Sequence, residues 1–115
     1  MSVTIFHNPR CSKSRQTLSL IQEKNIDINI IEYLKTPPDI SQLKQILKKL
    51  GYEPRQLMRK SEQIYKDLDL GNENKTEEDL VIAMTQNPIL IERPIVLSGE
   101  KAAIGRPPES VLNIL

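Results

Sequence analysis

A chain of 115 residues with a formal net charge of +1 at pH 7 has the size of one domain and lacks the charge excess of a general nucleic-acid binder. Aromatic residues make up 3% of it, too few for a base-stacking platform, and no run approaches the roughly 18 apolar residues of a membrane span. The single cysteine excludes an internal disulfide; with no basic leader and apolar run at the N-terminus, it fits a reducing compartment, the cytoplasm.

Val3-Thr4-Ile5-Phe6 is β-branched and aromatic, and Asn8-Pro9 ends it as a strand. Leu18 and Ile21 then recur at helical spacing up to a stop at Asn25, which puts Cys11 just before or within the first turn of a helix. Ile26 to Tyr33 alternates as a second strand, closing a βαβ unit that Thr36-Pro37-Pro38 ends. Asp39 and Gln42 form a capping box for a helix with the stripe Ile40, Leu43, Ile46, Leu47 and Leu50, closed by Gly51. Residues 52–75 are broken by Pro54, Asp69, Gly71-Asn72 and Asn74, and two short helices are expected around 54–59 and 61–68. Arg55 and Arg59 stand one helical turn apart there and could share a face, although the spacing alone better suits a solvated surface.

Thr76 with Asp79 caps a further helix running to Asn87-Pro88. Ile95-Val96-Leu97 and Ala102-Ala103-Ile104 are strands joined by Ser98-Gly99-Glu100, and Pro107-Pro108-Glu109 opens a last helix through Val111, Leu112 and Leu115. The order βαβ, helices, ββα is that of an α/β thioredoxin-like fold. It predicts one domain over 1–115, a four-stranded mixed sheet and a helical insertion at about 39–87. In that arrangement the start of the third strand lies beside the first helix N-terminus, so Arg93, before Pro94, approaches Cys11, and Arg106 points to the same end. An X-Pro bond is where a cis peptide is accessible.

The stretch His7-Asn8-Pro9-Arg10-Cys11-Ser12-Lys13-Ser14-Arg15 holds the only cysteine and the only histidine. At a helix N-terminus the unpaired N–H groups and the macrodipole favour an anion, and a thiolate is one. The dipole contributes about 0.3–1 kcal/mol, less than one pKa unit at about 1.36 kcal/mol each, so a strongly ionised thiol needs further donors. Arg10, Lys13, Arg15, His7 and the Ser12 and Ser14 hydroxyls are the nearby candidates. Such cationic, polar surroundings mark a reactive cysteine rather than one that only packs.

These residues, together with Thr17-Leu18, Leu57-Met58-Arg59, Asn87 to Val96 with its Glu92-Arg93-Pro94 core, and Gly105-Arg106-Pro107, resemble the glutaredoxin-coupled arsenate reductase family, in its short chromosomal branch. The likeness runs over essentially the whole chain. It implies that Cys11 is the nucleophile, that Arg59, Arg93 and Arg106 bind the oxyanion, and that His7 and Ser14 help keep the thiolate ionised. It implies arsenate or a similar oxyanion as substrate, glutathione as co-substrate and glutaredoxin as partner. No tightly bound cofactor, no metal, no nucleic-acid or membrane partner, and a monomer are expected. The longer resistance-type members continue past the last helix, where this chain stops at Leu115.

The chemistry is consistent with that resemblance. Planar cationic donors offset the repulsion between a thiolate and a tetrahedral dianion. One thiol cannot supply both electrons of the reduction, and Ser14 stands where a dithiol motif carries its second cysteine. Three residues separate Cys11 from Arg15 where a phosphatase loop needs five, which disfavours ester hydrolysis. The fold and its Arg-Pro also resemble redox-responsive regulators that bind RNA polymerase, although those carry Cys-x-x-Cys. A thiol protein with glutathione-linked activity on another substrate is the third reading.

Overall fold

Strand β1 (Val3–His7) is flanked on one side by β2 (Ile28–Glu32), parallel to it, and on the other by β3 (Ile95–Ser98), antiparallel. β4 (Lys101–Ile104) pairs antiparallel with β3, giving the sheet order β2-β1-β3-β4. The computed structural model describes residues 3–115. The chain divides into two compact units, one formed by residues up to Thr36 together with Arg93–Leu115, the other by Pro37–Glu92.

The first unit contains the sheet. A parallel pair needs a crossover, and helix α1 (Ser12–Gln22) supplies it between β1 and β2. β1 is buried along most of its length, as a central strand covered on both faces must be. Ile5 and Val96 face each other across the β1/β3 pair and join Val3, Ile21 and Val111 in the core. Each such side chain contributes about 1.5–3 kcal/mol on burial. The second strand is shorter than its alternation suggests, because Asn25 turns with φ 57° and the ladder begins only at Ile28. The last segment, Pro108–Ile114, is a 3₁₀-helix rather than an α-helix. Its Val111 still reaches the core.

The second unit is helical. α2 (Ile40–Leu50) begins at Asp39, whose side chain accepts from the Gln42 N–H at 2.8 Å while Gln42 Oε1 accepts from the Asp39 N–H at 3.0 Å. It ends at Gly51, which takes the left-handed conformation with φ 69°. α2 packs on α4 (Glu77–Gln86), whose Thr76–Asp79 capping box is also present. Between them the two expected helices are shorter: a 3₁₀ turn at Pro54–Leu57 and α3 (Gln63–Asp67). Pro88–Leu90 is a further 3₁₀ turn.

Because the 3₁₀ turn stops at Leu57, Arg59 does not continue a helix from Arg55. Met58 instead bridges Ile91 antiparallel, with the Arg59 N–H donating to Leu90 O at 2.7 Å and the Glu92 N–H to Leu57 O at 2.8 Å. Among the described residues no helix is long and apolar enough to cross a membrane.

At Gly51 a Cβ would meet nothing within 4 Å, so the cost of alanine there is purely that of the left-handed backbone. Gly51→Ala is expected to destabilise the protein by about 1–2 kcal/mol, seen as a lower urea midpoint at unchanged slope. An unchanged midpoint would contradict this account of the helix end.

Candidate functional site around Cys11

Asn8, Pro9, Arg10 and Cys11 form a tight turn closed by the Cys11 N–H donating to Asn8 O at 3.0 Å. Pro9 suits the second position, and Asn8 Oδ1 accepts from the Arg10 N–H at 3.0 Å, the local bond that favours asparagine at such a place. The turn delivers Cys11 to the N-cap of α1, with φ −96° and ψ 123°. Polar caps normally occupy that position. Here a sulfur does, and no acidic side chain lies in the first turn of α1. The positive end of the helix is therefore left to the sulfur.

Cys11 is 8% exposed. Burial pushes its thiol pKa up, but the Ser14 N–H, the Arg93 guanidinium through both a hydrogen bond and its charge, and the Lys13 N–H outweigh burial and hold it below its ordinary value. Arg106 Nη2 lies 3.5 Å from Cys11 Sγ. Two arginines from the far end of the chain thus meet at the sulfur. Arg10, Lys13 and Arg15, the cations adjacent in sequence, have exposed side chains, and Arg15 Nη1 donates to Pro9 O at 2.9 Å, bracing the turn.

Both distant arginines sit beside proline and share a support. The Arg93-Pro94 and Arg106-Pro107 bonds are cis. Arg106 Nε donates to Arg93 O at 2.8 Å, and the Gly105 N–H to Pro94 O at 3.0 Å, so the approach to β3 and the exit from β4 are tied together. Gly105 permits this closeness, since a Cβ there would stand 2.7 Å from Pro94 Cγ and collide with Thr17 Oγ1. Thr17 in turn bonds back to Lys13 O at 2.8 Å. The motif Gly105-Arg106-Pro107 was visible in the sequence, but the packing role of Gly105 and Thr17 was not.

His7 and Ser14 meet directly: His7 Nδ1 is 2.6 Å from Ser14 Oγ, which also accepts from the Asn8 N–H at 3.0 Å. Burial lowers the His7 pKa, with Glu32 opposing and Arg15 assisting, so the ring is neutral at pH 7. The Ser14 hydroxyl is accordingly engaged away from the sulfur. What Ser14 offers the thiolate is its backbone N–H, and His7 positions the residue that carries it.

Arg59 belongs to the helical unit. Its Nε donates to Glu62 Oε2 at 3.2 Å and its Nη1 to Glu92 Oε1 at 3.1 Å. The Met58–Ile91 bridge makes Arg59 and Glu92 diagonal cross-strand neighbours, within reach of long side chains. The sequence assigned neither glutamate a role, because the Arg59–Glu92 pairing depends on that bridge. Among the described residues no group of three or more His, Cys, Asp or Glu side chains could hold a metal ion.

Arg93→Ala should raise the midpoint of the pH profile for Cys11 alkylation and slow alkylation at pH 7 several-fold. An unshifted profile would show that Arg93 does not hold the thiolate.

Comparison with known proteins agrees over the whole chain. The model of the ArsC family matches residues 6–114. The uncharacterized Escherichia coli (strain K12) protein YfgD is 51% identical over 98% of this chain and 96% of its own length. The arsenate reductase of Neisseria meningitidis serogroup A is 49% identical over 98% of this chain and 97% of that protein. A solved arsenate reductase from Vibrio cholerae superposes with a TM-score of 0.97 at 48% identity, covering 100% of this chain and 98% of that one.

Proposed function

The chain belongs to the ArsC family, and from that premise we propose that it reduces arsenate to arsenite through a covalent adduct on Cys11, resolved by glutathione and glutaredoxin. The observation that carries this reading is the buried sulfur at the α1 N-cap, with Arg106 Nη2 at 3.5 Å and the Arg93 guanidinium bonded to it. A thiolate so placed is a nucleophile with planar cations already beside it. Those cations offset the charge of an approaching dianion and of its oxygens as sulfur attacks.

In the first step Cys11 Sγ bonds to arsenic(V) and water leaves. A glutathione thiol then displaces a second oxygen as water, giving arsenic(V) bonded to both sulfurs. A glutaredoxin thiol attacks the glutathione sulfur, forming a mixed disulfide and leaving the electron pair on arsenic, now arsenic(III). Hydrolysis releases arsenite and returns Cys11. Two external thiols supply the two electrons, as a chain with one cysteine requires. Such a reaction belongs in a reducing, glutathione-containing compartment, the cytoplasm, and needs one copy of the chain.

In this reading Arg93 and Arg106 bind the oxyanion's oxygens and Arg59 completes the set, exchanging a glutamate oxygen for a substrate oxygen. His7 and Ser14 keep the N-terminal turn of α1 aligned with the sulfur. Arsenate-dependent NADPH oxidation, coupled through glutathione, glutaredoxin and glutathione reductase, should occur with the protein and vanish with Cys11→Ser. Absence of turnover with rapidly alkylated Cys11 would move the thiolate to another substrate. Arg59→Ala should raise the KM for arsenate by about tenfold or more, the worth of a charge-assisted hydrogen bond, while the alkylation rate of Cys11 stays the same. Unchanged arsenate kinetics would return Arg59 to a structural role.

A further inference from the structure

Within the helical unit a cavity of about 390 Å³ is lined by Arg55, Met58, Arg59, Lys60, Ser61 and Glu92. We infer that this cavity binds glutathione, the acidic tripeptide thiol of the reaction proposed above, with its carboxylates on Arg55 and Lys60. The inference rests on the glutathione-dependent reading of Cys11.

Arg55 is the built part of the site. Its Nε donates to Leu70 O at 3.1 Å and its Nη2 to Asn72 O at 2.7 Å, so the half-buried guanidinium is fixed in place. Both partners are neutral carbonyls, and among the described residues it has no carboxylate counter-ion. The bonds it makes leave N–H groups on its outer Nη1–Nη2 edge, the edge that grips a carboxylate with two parallel bonds. Lys60 adds an exposed cation without an ion pair among the described residues.

The remaining lining favours a peptide over a simple anion. The Glu92 carboxylate, held by Arg59, stands in the wall and would attract the α-ammonium of a γ-glutamyl group, a contact that an inorganic anion lacks. Met58 gives an apolar surface for the methylenes. The volume lies in the range of about 300–1,000 Å³ typical of small-molecule sites. By contrast a cavity of about 320 Å³ in the same unit is lined by Glu53, Glu77 and Glu78 together with Lys44, which Glu78 holds at 2.7 Å, and would repel an acidic peptide.

The test is a titration of the full ¹⁵N-labelled chain with S-methylglutathione, which binds but cannot attack. Saturable shifts are expected at the amides of residues 55–61 and 92, and Lys60→Glu should weaken binding about fivefold or more, as reversal of one contacting charge does. In the coupled assay Lys60→Glu should raise the KM for glutathione by a similar factor and leave Cys11 alkylation as it was. Arg55→Lys, read in the same spectra, weakens binding while the dispersion shows the fold intact. Shifts confined to residues 11–14, or binding indifferent to Lys60→Glu, would overturn the assignment. So would binding of inorganic phosphate as tight as that of S-methylglutathione and equally weakened by Lys60→Glu, which would make the cavity a simple anion site. Binding at residues 55–61 in a protein without arsenate turnover would uphold the cavity and sink the arsenate reading instead.

Discussion

The contest between burial and charge at the Cys11 sulfur governs the arrangement of the first unit. The thiol of a residue 8% exposed is disfavoured as an anion by its loss of water, and burial is the largest influence on it. The pKa falls below its ordinary value only because several donors converge: the N–H groups of Ser14 and Lys13 at the helix N-terminus and the guanidinium of Arg93, with Arg106 at 3.5 Å. The helix alone, at about 0.3–1 kcal/mol, is too weak. The N-termini of α1 and α4 make the point by contrast. α4 is capped by Thr76 and carries Glu77, Glu78 and Asp79 in its first turn, neutralising its own dipole. α1 has a cysteine at its N-cap and no acid there, forgoing roughly 0.5–2 kcal/mol of capping stability to leave the field for the sulfur.

Holding two arginines against that sulfur requires close backbone approach. The bonds from Gly105 to Pro94 and from Arg106 to Arg93 join the two loops that carry them, and Gly105 leaves the room that Thr17 and Pro94 occupy. On the other side of Ser14, the neutral His7 ring and the Asn8 N–H fix its hydroxyl. The side chains around Cys11 are therefore positioned mostly through hydrogen bonds to backbone or from buried groups, which is what preorganised electrostatics needs.

Local signals read well from the sequence where they were strong. The capping boxes at Asp39 and Thr76, the left-handed stop at Gly51, the turn at Asn8-Pro9 and the hairpin at Gly99 all involve residues within four positions of each other. The four-stranded mixed sheet followed from their order, and the family likeness from motifs spread along the chain. Tertiary arrangement was less legible. Proximity in sequence offers Arg10, Lys13 and Arg15, whose side chains are exposed, whereas the side chains that reach the sulfur are Arg93 and Arg106, which the order of elements already directed to that end. The Ser14 hydroxyl looked like a donor to sulfur, but a buried histidine claims it. Between residues 52 and 75 the 3₁₀ geometry and the Met58–Ile91 bridge remove the helix face that Arg55 and Arg59 could have shared, and an isolated bridge leaves no periodic trace.

The central claim is that the donors around Cys11 outweigh its burial and favour the thiolate. Thiolate absorbance near 240 nm, titrated against pH in the wild-type protein and corrected with Cys11→Ser, measures this most directly. The account predicts a single transition with its midpoint below the value of about 8.5 for an unperturbed cysteine. A midpoint at or above that value would mean that burial wins, and Cys11 would then be a packed thiol rather than a nucleophile.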